Sequence, residues 1–250
     1  MKYLTTLKWP IMAMIFICTN TYLAAQKTNY LSFSIGSSNA KGRLGEADYN
    51  DSSTGYGTFG LAYNLKYEMK LKKGWGLYYN LQNASILFDA KQYTLDIEKD
   101  LGSDWSWSEY TPSSYNVKSL NLGVQYTLNE GQKFNATGYF GSGLSLCKNR
   151  SVDASFASTS GTIRITAESL STIVTNINFG LKVCYAIKPN IDICADFAYQ
   201  TQSPIFVNNY NLYLNGMFFD KDKQTFTQPM YFSTTTIGLR YKFASKEKKS

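Results

Sequence analysis

The segment Phe59-Gly60-Leu61-Ala62-Tyr63-Asn64-Leu65-Lys66-Tyr67-Glu68-Met69-Lys70-Leu71 puts an apolar or aromatic residue at every odd position and a small, polar or charged one at every even position. A strand turns successive side chains to opposite faces, so this stretch has one greasy face and one wet face. The pattern returns along the chain. Leu31, Phe33 and Ile35 share a face in Asn29 to Gly36, and Tyr56 to Leu71 follows. From Trp75 the alternation passes Leu77, Tyr79 and Leu81 and runs on towards Phe88 and Tyr93. Leu120 to Leu128, Phe134 to Leu146, Ile177 to Ile187, Ile191 to Tyr199 and Tyr231 to Phe243 complete the set.

The connections alternate in length. Lys72-Lys73-Gly74, Asn129 to Lys133 and Lys188-Pro189-Asn190 are short turns, whereas Ser37 to Gly55, Thr94 to Tyr115, Asn149 to Ser169 and Thr201 to Pro229 are long and polar. Tyr67, Trp75, Tyr126, Phe134, Tyr185 and Tyr241 gather beside the short turns, as an interfacial aromatic girdle would, and Tyr56, Phe59, Tyr199 and Tyr231 are candidates for the opposite, upper rim. A soluble β-sandwich also alternates, but it requires neither feature. The expectation is an all-β fold: an eight-stranded antiparallel up-and-down transmembrane β-barrel spanning residues 26–243. Thr162 to Thr166 in the third long connection still alternates, which allows strands to extend beyond the membrane there; ten strands stay open if that connection folds back through the membrane.

The N-terminus reads as a secretory signal over residues 1–25. Lys2 and Lys8 precede or flank the apolar run Trp9 to Cys18, and Ala24-Ala25 offers small residues for cleavage. A lipoprotein signal at Cys18 is the weaker rival, since Ile17 stands where such sites want a small residue. Residues 244–250 read as a basic periplasmic tail carrying Lys246, Lys248 and Lys249. The first short turn reads as basic too, with Lys70, Lys72 and Lys73. The net charge of +7 has no basic cluster on a recognised motif, so nucleic acid is not expected as a partner.

On these strands the chain resembles the small eight-stranded outer-membrane barrels of the OmpX/OmpA-like group. More narrowly it resembles the Bacteroidetes-type "outer membrane protein β-barrel domain" proteins, including PorT-like ones. The last strand, Ile237-x-Leu239-x-Tyr241-x-Phe243, looks like the C-terminal signal read by the barrel-assembly machinery, although the residues after Phe243 depart from a pattern that often ends at the aromatic. The resemblance implies a Gram-negative outer-membrane location. It also implies outer-membrane lipids and the assembly machinery as partners.

An eight-stranded barrel is just wide enough to be filled by side chains, so the wet face should be a packed polar core. Its charged members would be Lys66, Glu68, Lys182, Asp192, Asp196, Arg240 and Lys242. Buried charges need partners. If Lys188-Pro189-Asn190 turns with Ile187 facing Ile191, Lys182 lies opposite Asp196 and Cys184 opposite Cys194. Those cysteines either form a disulfide, permitted in the periplasm, or fill space as thiols.

Histidine is absent, which removes a Ser/His/Asp triad and His-based metal sites. No enzyme activity and no cofactor are expected. Glu46, Asp48, Asn50 and Asp51 lack the spacing of an EF-hand. The aromatic loop residues Trp105, Trp107, Tyr110, Tyr210 and Tyr213 suit either a binding surface or loop-on-loop packing, the second being favoured. The functional expectation is surface interaction, adhesion or envelope integrity through long extracellular loops, with an unidentified extracellular or envelope protein partner. A narrow porin-like channel is the alternative, as is a PorT-like part in secretion or motility.

Overall fold

The computed structural model describes residues 28–48, 51, 54–102 and 104–244. The expected signal segment and the tail beyond residue 244 lie outside them. Among the described residues thirteen strands run in chain order: β1 Thr28–Lys41, β2 Phe59–Lys70, β3 Trp75–Leu87, β4 Ser106–Tyr110, β5 Ser114–Leu128, β6 Phe134–Lys148, β7 Val152–Ser158, β8 Gly161–Ala167, β9 Ser171–Lys188, β10 Ile191–Gln202, β11 Ile205–Leu214, β12 Met217–Thr227 and β13 Met230–Ala244. An α-helix, α1, spans Ala90–Leu101.

Eight strands close a barrel in the order β1-β13-β10-β9-β6-β5-β3-β2. Every neighbouring pair is antiparallel. Short turns join strands at the end where β1 begins and β13 ends. Lys73 and Gly74 take positive φ of 55° and 82° in the first, Asn129 and Gly131 55° and 83° in the second. These are left-handed conformations that Gly and Asn adopt at least cost.

The outward face is apolar. Phe33, Leu61, Leu81, Phe140 and Ile237 are half or more exposed, and so are many of their neighbours around the wall. No helix among the described residues is long and apolar enough to cross a membrane, but closed strands cross without one. A greasy belt around a closed, polar-filled sheet has one stable solvent, so the protein is an outer-membrane β-barrel.

The long connections are not plain loops. The remaining strands form a separate five-stranded sheet, β12-β11-β8-β7-β4, built from three of the four long connections. The alternating stretch Thr162 to Thr166 belongs to β8 of this sheet, so the ten-strand option is excluded. Strand β3 ends at Leu87, and Tyr93 sits in α1 instead of extending the strand. The Asp89 side chain accepts from the Gln92 backbone N–H at 3.0 Å, capping the helix. Tyr93, Ile97 and Leu101 recur at helical spacing, and Gly102 ends the element.

One apolar core joins barrel and sheet. Ile86, Val117, Met230 and Phe232 point into the top of the barrel, where they meet Leu44, Tyr56, Phe88, Ile97 and Phe156. The wet face is therefore polar only in the lower and middle barrel. Towards the outside the inward positions turn apolar, because they bury against loops instead of lining a lumen. Tyr56 lies in this core at 3 % exposure, not on an upper aromatic rim.

Candidate functional site

The barrel interior holds a charge network. Lys66 Nζ reaches Asp196 Oδ2 at 2.7 Å and lies 3.6 Å from the centre of the Tyr139 ring. The Tyr139 hydroxyl donates to Asp196 Oδ1 at 2.6 Å. Lys182 Nζ binds Glu68 Oε1, while Gln125 Nε2 donates to Glu68 Oε2 at 3.3 Å. Arg240 donates from Nε to Asp192 Oδ2 at 2.7 Å and from Nη2 to Asn135 Oδ1 at 3.1 Å. Its Nη1 is 3.8 Å from Glu68 Oε2, which links the clusters. Each charge is thus paired, as burial requires.

Two lysines differ from the sequence reading. Lys242 is half-exposed at the barrel mouth beside the short turns, and among the described residues no ion pair ties it to the network. Lys70, read as part of the basic turn, points inward at 3 % exposure. Its Nζ contacts Thr127 Oγ1 and lies 3.7 Å from Glu130 Oε1. The even-numbered parity of Lys66 and Glu68 already marks Lys70 as inward; the turn simply begins one residue later.

Cys184 and Cys194 are opposite one another and joined by a disulfide. Lys182 is opposite Asp196. Beside the turn, however, Ile191 pairs with Lys188, and the register shifts between Ile191 and Asp192. A bulge there absorbs Ile187, so Ile187 does not face Ile191. Cys147 is a buried free thiol.

The girdle residues Trp75, Tyr126, Phe134, Tyr185 and Tyr241 are exposed on the outer wall, and Tyr67 is half-buried there. Trp75 and Tyr126 meet edge to face at 5.2 Å between ring centres. Ile237, Leu239, Tyr241 and Phe243 line the outward face of β13. Of the loop aromatics, Trp105, Tyr110 and Tyr210 pack against the apolar core. Trp107 is exposed on β4, and Tyr213 stacks edge to face on Phe218.

The outer sheet covers a cavity of about 460 Å³. Buried Tyr56 and Tyr115 lie on its inner side, with Arg150 beside them; exposed Asp48, Asp220 and Asp222 lie on its outer side. The Arg150 guanidinium stacks 4.1 Å from the Phe88 ring centre and 4.7 Å from that of Tyr93. Its Nε donates to the Tyr115 hydroxyl at 3.0 Å, and that hydroxyl donates to the Gly55 carbonyl at 2.9 Å. The helix is tied to this region by the Tyr56 hydroxyl, which donates to Asp96 Oδ2 at 3.0 Å. Burial opposes the charge on Asp96, but hydrogen bonds from Lys99, Tyr56 and Gln92 outweigh it and hold the carboxyl below its ordinary value. In the first loop, Arg43 is 3.6 Å from Glu46 and also binds Asp51, which neutralises acids that could otherwise ligate a cation. Among the described residues no three metal-ligating side chains gather.

Sequence reasoning overlooked Arg150 and the sheet above it. One signal was available. Asn215-Gly216, with φ of 49° and 78°, makes the tight turn between β11 and β12, and Asn-Gly is the strongest local mark of a two-residue hairpin.

No family model and no curated protein matches the chain. Similar solved structures include Neisserial surface protein A, with a TM-score of 0.44 and 15% identity over 87% of this chain and 100% of that one. Ail, the attachment invasion locus protein of Yersinia pestis, gives 0.42 and 17% over 87% and 99%. A major outer membrane protein from Thermus thermophilus gives 0.45 and 18% over 85% and 99%.

Proposed function

We propose that this barrel is a closed, non-enzymatic scaffold that presents a folded recognition surface outside the cell. The observation that carries the reading is the five-stranded sheet itself. Three long connections have been made into one ordered layer with a buried core, and that layer ends in the exposed apolar tip Met217, Phe218 and Phe219, at 73%, 58% and 65% exposure. Exposed apolar side chains clustered on a rigid support are the kind of surface a protein or cell-surface partner covers. Surface interaction or adhesion follows as its role. The belt would hold outer-membrane lipids, and the outward face of β13 would serve the assembly machinery.

The channel reading loses support from the interior. Lys66, Glu68, Tyr78, Asn121, Lys182 and Arg240, which fill the middle of the barrel, are between 0 and 2 % exposed, and an apolar core caps them. Cells carrying the protein with Met217→Ser, Phe218→Ser and Phe219→Ser together should adhere several-fold less than wild type to the same surface; equal adhesion would reject the role of the tip. Single-channel recording of the pure protein should give no regular conductance steps, and regular steps would reject the closed interior.

A further inference from the structure

We propose that the cavity beneath the outer sheet binds a small zwitterion of the amino-acid or short-peptide class, with its carboxylate on Arg150 and its cationic amine at Asp220 and Asp222. Asp220 follows the Met217–Phe219 tip directly, but none of the three tip side chains lines the cavity, so either reading can fail without the other.

Arg150 is built to receive an anion. A guanidinium offers five N–H groups in a fixed plane. Here Nε is bound to Tyr115, the plane is held over Phe88 and Tyr93, and among the described residues the Nη groups meet no carboxylate. Aromatic stacking leaves the edge of the plane free, and that edge matches the two oxygens of a carboxylate. Arg150 also lines the cavity directly.

The outer side carries the opposite sign. The run Asp220-Lys221-Asp222-Lys223 lies in a strand, so acids and lysines fall on different faces. Asp220, Asp222, Gln224 and Phe226 line the cavity, while the lysines between them do not. Asp220 accepts from the Lys221 backbone N–H and Asp222 from the Gln224 amide; among the described residues neither carboxylate has a cationic side chain as partner. A simple anion entering the cavity would pass these carboxylates, and a simple cation would face Arg150. A ligand bearing both charges satisfies both ends. A volume of about 460 Å³ suits a small molecule with room for water.

The test uses the protein folded in detergent micelles, with Nα-acetyl-lysine as the probe and titration calorimetry as the readout. Nα-acetyl-lysine amide lacks the carboxylate, and Nα,Nε-diacetyl-lysine lacks the cation. Saturable binding of the probe is expected, and each analogue should bind about tenfold more weakly or worse, the scale of one lost charge-assisted hydrogen bond. Arg150→Met should abolish the preference for acid over amide. The double variant Asp220→Asn with Asp222→Asn should abolish the preference for amine over acetylamide. Both aspartates are exposed on β12 and their replacement threatens no folding, so the test stands even if Arg150→Met fails to fold. Equal binding of all three compounds, no saturable binding of the probe, or preferences unchanged in the Asp220/Asp222 variant would each overturn the proposal. The serine variant of the apolar tip should keep the probe binding, which separates this result from the adhesion test.

Discussion

Replacing Glu68 by methionine would strand the Lys182 cation in the barrel. Glu68 is fully buried, binds Lys182, and lies 3.8 Å from Arg240. Arg240 retains Asp192, but among the described residues Lys182 has no other ion pair. Breaking a buried pair in this way costs about 3–5 kcal/mol, because the remaining charge keeps its desolvation penalty and loses its compensation. Lys182→Met should cost a similar amount, because it leaves buried Glu68 with only the Gln125 amide and the 3.8 Å contact to Arg240. The double variant puts two apolar side chains of similar length in contact, a change that is often neutral or stabilising. Independent effects would sum to about 6–10 kcal/mol; the pair should instead cost no more than either single change, a coupling of at least about 3 kcal/mol. Urea unfolding in phospholipid vesicles, followed by tryptophan fluorescence, gives all four stabilities. If the double variant matches the sum of the singles within about 0.5 kcal/mol, the two groups do not stabilise each other and the network argument fails.

Four further outcomes follow from other contacts in the structure. Alkylation of the denatured, unreduced chain of residues 26–250, which leaves out Cys18, should modify one thiol, Cys147, rising to three after reduction; three before reduction would mean that the Cys184–Cys194 bond is absent. Phe156→Ala should weaken the outer sheet by about 3–5 kcal/mol, since the ring is fully buried in the upper core. Limited proteolysis should then cut β7 and β8 while the barrel still shifts on an unboiled gel, and a barrel that unfolds with the sheet would show that they form one unit. Tyr56→Phe removes the hydrogen bond to Asp96, so hydrogen exchange in α1 should quicken. Because the Asp96 carboxyl is held below its ordinary value, its contribution is complete above the unfolded value and is lost as pH falls through the folded one. The protection of α1 in the wild type, taken as the observed exchange rate relative to the intrinsic rate at each pH, should therefore fall on acidification. Protection that does not change with pH would remove Asp96 from the docking of the helix.

Much of the barrel was legible because period-two alternation is a local property that burial on one face enforces. A one-residue slip would move Leu61, Tyr63 and Leu65 inside and Lys66 and Glu68 into lipid, so pairing and parity are strongly specified. The same constraint, with the short turn, sets Lys182 opposite Asp196 and Cys184 opposite Cys194. The exceptions arose where the burial environment changes. Lys70 sits at a turn boundary, where charge reads as solvent exposure although parity points inward. Ile187 was misplaced by a bulge, which alternation does not announce. Tyr93 continued a greasy run that Asp89 diverts into a helix.

Alternation between near neighbours was thus enough to specify the closed eight-stranded barrel, its lipid-facing side and most of its inner charges. What the long connections become was settled only by packing in three dimensions. Strands β4, β7, β8, β11 and β12 come from segments far apart in the chain, and β4 pairs with β7 across Thr111 to Ser151. Arg150 gains its meaning only when Phe88, Tyr93 and Tyr115 close around it. Such contacts depend on the barrel bringing loop ends together, which removes most of the entropy cost of joining them. Local pattern carries no record of that proximity.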